Sequence, residues 1–234
     1  VGELDIPGFL LWYFAFLFSL SAHEAAHAWA AYRGGDPTAY LGGQVTLNPL
    51  PHIQREPLGT VLVPFFTYFR AGSMMGWASA PYDPLWADRH PRRAALMSAA
   101  GPAANLVIAS VVFLALKVCV EAGVLNVPWP WDMARLVQPA QPDAPPWFRG
   151  ACQLASILLS LNLLLFCFNL LPLPPLDGSG ILFGLFPEGL GGVFRGLRAN
   201  PILGVGGLLV AWYIFPRLFG PLFRFVRSLL LPGV

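Results

Sequence analysis

Apolar residues run along this chain in long blocks instead of alternating or recurring on one helical face. Four blocks approach the about 20 apolar residues a helix needs to cross a bilayer: Phe9 to Tyr32, Ala94 to Val120, Ala151 to Leu171, and Pro201 to Leu218. Only the group HEAAH interrupts the first, and the second ends at Lys117, whose stem can carry its charge to the interface. The third contains no formal charge. After the fourth, the apolar tail Gly220 to Val234, with Arg224 and Arg227, reads as interfacial or half-inserted. Leu58 to Phe69 is too short to span before Arg70 and is interrupted by Pro64, so it reads as re-entrant. Glu121 to Arg149, rich in Pro and Trp, reads as an external cap with interfacial aromatics. The expected fold is an all-α polytopic membrane protein of about 4–6 transmembrane helices, with a re-entrant segment and a short β-like loop near the site. It is expected to form one membrane-embedded domain, residues 1–234, with a core over 9–180 and C-terminal helices over 201–234.

Composition agrees with a lipid environment. The chain is 56% hydrophobic and 11% charged, with a mean hydropathy of +0.60, whereas about a quarter of the residues of a soluble domain are charged. The formal charge of +2 comes with 14 basic residues that are scattered and form no stripe, which argues against a nucleic-acid partner. Cys119, Cys152 and Cys167 have no metal-type spacing and read as buried small residues. Basic residues mark the cytoplasmic side. Arg33 and Arg55 follow the first span, and Arg89, Arg92 and Arg93 precede the second. Both clusters share that side only if the stretch between them dips in and returns. The N-terminus, with Glu3 and Asp5, is then outside, and Arg195 and Arg198 are again cytoplasmic. The tail arginines fit this topology poorly.

Ionisable groups at bilayer depth are costly and rarely kept without a function, so the stretch SLSAHEAAHAWA from Ser19 to Ala30 carries the first chemical signal. On a helix, His23 and His27 are separated by about 40° of rotation and ~6 Å of rise, so both rings can meet one ion. Zinc takes two imidazoles at this spacing, and Glu24 beside the first is placed to accept a proton from the water of such a site. A catalytic zinc also needs a third protein ligand. Asp177, just past the third span in FNLLPLPPLDGSGIL, is the best placed, ahead of His52 and His90 in polar loops. Pro172, Pro174 and Pro175 end the helix before it, and Gly178 and Gly180 permit unusual turns after it. Broken backbone at membrane depth suggests a cavity. The small residues Ser98, Ala99, Gly101, Ala103 and Ala104 read as a close helix-packing surface.

Three motifs in order, HEAAH, AAGPAAN (Ala99 to Asn105) and NLLPLPPLDG (Asn169 to Gly178), resemble the site-2 protease family of intramembrane zinc metalloproteases. The likeness covers about Phe9 to Gly180 and is strongest to the small bacterial and archaeal members without PDZ or CBS domains. Their GGxxxxNP region is echoed by Gly42, Gly43, Asn48 and Pro49. The resemblance implies Zn2+ held by His23, His27 and Asp177, with Glu24 as the base. It also implies that Asn169 positions the scissile carbonyl or stabilises the oxyanion, and that Asn105 lines the site or braces core helices. The implied partner is a transmembrane protein or peptide substrate. The implied location is a prokaryotic plasma membrane with the site toward the cytoplasm. One departure is Ser79 in GWASAPYDP, where relatives often carry Lys.

An extended substrate needs partners for its backbone, and Tyr40 to Leu47 (YLGGQVTL) is read as an exposed strand edge for it. Two rival classes remain. A di-iron hydroxylase needs about eight histidines and the chain has four. A membrane zinc-binding protein or transporter could use the same His, His, Asp set, but has no need of Glu24.

Overall fold

The computed structural model describes residues 5–189, 196 and 201–232. Glu3, Arg195 and Arg198, expected to mark the outside and cytoplasmic faces, lie outside those residues. Asp5 accepts a hydrogen bond from the Gly8 amide at 2.9 Å and Pro7 occupies the first turn, so α1 (Ile6–Arg33) starts sharply. Short helices α2 (Thr38–Leu41) and α3 (Pro49–Arg55) follow, then a π-helical segment, Leu58–Leu62, running into α4 (Val63–Ala71). Next come α5 (Pro84–Arg89), α6 (Pro91–Glu121), two-residue strands β1 (Leu125–Asn126) and β2 (Gln138–Pro139), and α7 (Pro146–Asn169). The last elements are α8 (Asp177–Leu185) and α9 (Pro201–Ser228). Among the described residues, α1, α6, α7 and the Gly204–Ser228 part of α9 are long and apolar enough to cross a membrane. The chain is a polytopic helical membrane protein.

The stretch between α3 and α5 dips in and returns, as its length and charge flanks imply. Tyr68 on α4 donates to Asp5 Oδ2 at 3.2 Å, at the start of α1, and Phe9 packs against Phe65, Tyr68 and Phe69. The return arm is tied back onto the helical arm: the Met75 amide donates to Thr67 Oγ1 at 3.0 Å, and the Trp77 amide to Gly59 O at 3.2 Å. Irregular backbone beside a span is tolerated because protein groups satisfy it in this way. Pro64 does not break the segment. A π turn leads into it, and the Gly59 carbonyl five residues before it accepts from the Trp77 amide in place of the proton that proline lacks.

At the opposite end of α1, Arg93 Nη1 and Trp86 Nε1 both donate to Gly34 O at 3.1 Å. The buried carboxylate of Asp36 accepts from the Thr38 amide at 3.0 Å and from the Asp83 amide at 2.8 Å. The end of α1 and the starts of α5 and α6 therefore meet at one face, which carries Arg33, Arg89, Arg92 and Arg93.

The cap between α6 and α7 is an ordered lid on the far end of the bundle. Leu125, Leu136 and Val137 are buried with Leu116, Val120, Leu159 and Phe223. Ser156 on α7 accepts from the amides of Leu136 and Val137 at 3.1 and 3.4 Å, and Ser160 donates to Met133 O at 2.8 Å. The expected separate tail is corrected: α9 continues as one helix through Pro216 and Pro221 to Ser228. Its far end is held by the cap, because Arg227 donates to Pro128 O at 2.9 Å and lies 4.9 Å from the centre of the Trp131 ring. That contact accounts for one of the tail arginines that the positive-inside pattern left without a place.

The strand edge expected over Tyr40 to Leu47 is also corrected, since no strand is found there. Thr38–Leu41 is a helical turn closed by three amides, with Gly42 donating to Thr38 O, Gly43 to Tyr40 O and Gln44 to Ala39 O. Gly43 takes the left-handed φ of +70° that ends such a turn. Asn48 Oδ1 caps α3 by accepting from the Leu50 amide at 3.0 Å, and Pro49 follows at the first helical position. The glycines and the NP pair therefore serve turn and cap geometry here. The only paired strands among the described residues are β1 and β2, in the cap.

Candidate metal centre

His23 and His27 share the face of α1 turned toward α6 and α8, and both are buried. Proline-broken chain after α7 delivers Asp177 to them as the first residue of α8. His23 Nε2 lies 3.1 Å from Asp177 Oδ2, His27 Nε2 3.3 Å from Asp177 Oδ1, and the two Nε2 atoms are 3.0 Å apart. Among the described residues these three are the group of His, Cys, Asp or Glu donors arranged to hold one ion, with ligand atoms all within 4.8 Å.

This close approach depends on small residues of α6. A Cβ at Gly101 would overlap both imidazole Nε2 atoms, and one at Gly180 of α8 would overlap Ser98 of α6. One turn on, Gly184 of α8 meets Pro91 O and Ala95. The small-residue surface expected of this span thus holds for Ser98 and Gly101.

The ring nitrogens not facing Asp177 have fixed partners. His23 Nδ1 donates to Asn105 Oδ1 at 2.6 Å, and His27 Nδ1 donates to Met97 O at 2.7 Å. With the protons on Nδ1, both Nε2 lone pairs face the carboxylate, the arrangement a metal-binding histidine needs. Asp177 Oδ2 is buried and has no hydrogen-bond donor. Two imidazole nitrogens and a carboxylate turned on one another without a donor between them are a donor set that fits zinc.

Glu24, next to His23, is 4% exposed and enters no ion pair among the described residues. Asn105 is fully buried and accepts from His23 Nδ1. Asn169 ends α7, and its amide donates back to Leu165 O at 3.0 Å. Gly42 and Gly43 lie in the turn described above and are exposed. His52 is not in an open polar loop. It is 1% exposed and donates through Nε2 to Thr46 O at 3.0 Å. His90 is exposed, just before α6. Ser79 Oγ donates to Glu56 Oε1 at 2.7 Å.

Sequence reasoning missed Ser19 and Asn162, both fully buried and bonded to each other and to Asn105. The available signal was an uncharged polar side chain in the middle of an apolar span.

A membrane-spanning helical bundle that buries HExxH against a carboxylate from a broken helix defines a membrane metalloprotease. The chain belongs to peptidase family M50, whose profile matches residues 11–212. It is 38% identical over 173 residues to "Putative zinc metalloprotease YwhC" of Bacillus subtilis, covering 74% of this chain and 67% of that protein. It is 32% identical over 181 residues to "Putative zinc metalloprotease Rip2" of Mycolicibacterium smegmatis, covering 74% of this chain and 56% of the relative. The Rip2 of Mycobacterium tuberculosis is 29% identical over 166 residues, covering 71% of this chain and 53% of the relative. The chain therefore spans two thirds of the first relative and just over half of the others. No solved structure matches it.

Proposed function

We propose that this chain is a site-2-type intramembrane zinc endopeptidase that hydrolyses peptide bonds within or beside transmembrane segments of other membrane proteins. The observation carrying this reading is the convergence of His23, His27 and Asp177 beside a buried Glu24. These three residues would hold the ion, which when bound supplies a Lewis acid and an acidified water. Glu24 takes the proton from the attacking water and returns it to the leaving amine. Burial at the end of a broken helix keeps bulk water away while the chain's own groups orient the reactants. Asn169 is assigned to the developing oxyanion; to act there its amide must turn away from Leu165 O, and a donor so placed contributes about 3 kcal/mol.

The substrate proposed is a transmembrane segment, because the donors sit on helices long and apolar enough to cross a membrane or directly beside them. Its helix must open before a peptide bond can be presented. The face carrying Arg33, Arg89, Arg92 and Arg93 favours a cytoplasmic assignment for the end of α1 nearer the histidines, with the N-terminus outside. The bacterial sources of the relatives favour a bacterial plasma membrane.

Reconstituted wild type and Glu24→Gln, each with its zinc content measured, are given a panel of single-span substrates in liposomes. Equal zinc is expected in both, with cleavage reduced about 10²–10⁴-fold in the variant. Equal cleavage by the two, or none by zinc-loaded wild type across the panel, would refute the proposal.

A further inference from the structure

A neutral imidazole binds a metal through the nitrogen that carries no proton, so His23 Nε2 is available only while its proton sits on Nδ1. The partner of Nδ1 is Asn105 Oδ1. A primary amide is two-faced, however: turned over, Asn105 would offer Nδ2, a donor, to the same nitrogen. His23 would then carry its proton on Nε2, the atom facing His27 and Asp177.

The chain of bonds behind Asn105 opposes that turn. Asn105 Nδ2 donates to Ser19 O at 3.3 Å and to Asn162 Oδ1 at 2.8 Å. Asn162 is oriented in turn, because its Nδ2 donates to Leu158 O at 2.9 Å and to Ser19 Oγ at 2.8 Å. Ser19 Oγ spends its single proton on Ala15 O at 2.6 Å, so toward Asn162 it can only accept. The chain thus terminates on the backbone carbonyls of Ala15, Ser19 and Leu158, which accept and cannot turn over. Reversing Asn162 would set its oxygen against Leu158 O, and reversing Asn105 would set oxygen against oxygen at both Ser19 O and Asn162. Ser19, Asn105 and Asn162 are each 0% exposed, so water does not compete for these bonds.

We propose that Asn162 is a positioning residue that selects the Nδ1–H tautomer of His23, and thereby its capacity to bind metal, by holding the Asn105 amide one way up. The inference rests on His23 being a metal ligand. Without Asn162 Oδ1, the Asn105 amide keeps only the longer bond to Ser19 O, and its preference for one orientation falls.

The test uses ¹⁵N-histidine NMR of the full chain, stripped of metal, in detergent micelles, with zinc affinity measured by chelator competition. Recorded at alkaline pH, so that Asp177 beside both Nε2 atoms does not hold a second proton on either ring, His23 and His27 of wild type should be Nδ1–H, while His52, which donates through Nε2, supplies the opposite signature. Asn162→Leu should move His23, and not His27, toward Nε2–H and weaken zinc binding about 10–100-fold. Adding Asn105→Asp to that variant should restore the Nδ1–H signal and most of the affinity, because a carboxylate presents an acceptor either way up. A purely structural role for Asn162 would not give that rescue. Retention of the Nδ1–H signal and wild-type affinity in Asn162→Leu would overturn the proposal. So would an Nε2–H His23 in wild type, a result that needs no variant to fold. Wild type with the expected tautomers that takes up no zinc would instead overturn the ligand reading, and with it the metal-binding half of this proposal.

Discussion

Gly101→Ala is the sharpest perturbation of the site that leaves every donor in place. Gly101 sits on α6 opposite the two histidines, and an added Cβ would lie 2.6 Å from His23 Nε2 and closer still to His27 Nε2. Ordinary contact begins near 3.4 Å. The His23 ring or α6 must therefore retreat by about 0.8 Å, and His27 by more, whereas ligand distances in a working site hold to about ±0.2 Å. The bundle can absorb such overpacking at a cost of roughly 1–3 kcal/mol. The metal site cannot, so zinc affinity should fall at least ~100-fold, equivalent to about 2.7 kcal/mol. Purified wild type and Gly101→Ala would be compared by metal analysis, chelator competition and thermal unfolding. Gly150→Ala is the control, because a Cβ there meets nothing within 4 Å and helix α7 should gain about 0.5–1 kcal/mol. A Gly101→Ala protein that binds zinc with wild-type stoichiometry and affinity would refute the packing argument.

Asp177→Ala should reduce bound zinc to background while helical content is kept; unchanged stoichiometry would remove Asp177 from the ligand set. Asp36 yields a pH dependence with a definite sign. Burial acts to raise its pKa, but hydrogen bonds from Thr38 and from the Asp83 amide outweigh that, so the carboxyl sits below its ordinary value. Its contribution to folding is therefore fully present above the unfolded pKa of about 4 and is lost as pH falls through the lower folded value. The gap in thermal stability between wild type and Asp36→Asn should be widest near neutrality and close in acid, and a gap that does not change with pH would contradict this account.

Legibility differed by the range over which each feature is encoded. HEAAH is local: two imidazoles four residues apart share a helix face wherever that helix lies. Asp177 was legible for a related reason, since prolines that stop a helix and an acid just beyond them leave few ways to arrange the backbone. The re-entrant segment followed from length and flanking charge. The strand edge at Tyr40 to Leu47 did not materialise, because a glycine pair is equally suited to closing a helical turn, and local composition does not choose between the two. The tail beyond Leu218 was read apart from the fourth span because it carries Arg224 and Arg227, whereas α9 runs on to Ser228 with Arg227 held by the cap.

By itself, then, the sequence determined the solvent, the four spans, the donor types and the acid that the fold brings to the two histidines, because hydropathy, helical periodicity and proline sterics act within a few residues. Tertiary structure alone decided which nitrogen of each histidine faces the carboxylate. That choice depends on Met97 O, on Asn105 and on Asn162, which stand 70, 82 and 139 residues from their histidines and meet them only when α1, α6 and α7 pack. A hydrogen bond has direction, and direction in a buried network is set by where the chain ends up, not by the order in which it is written.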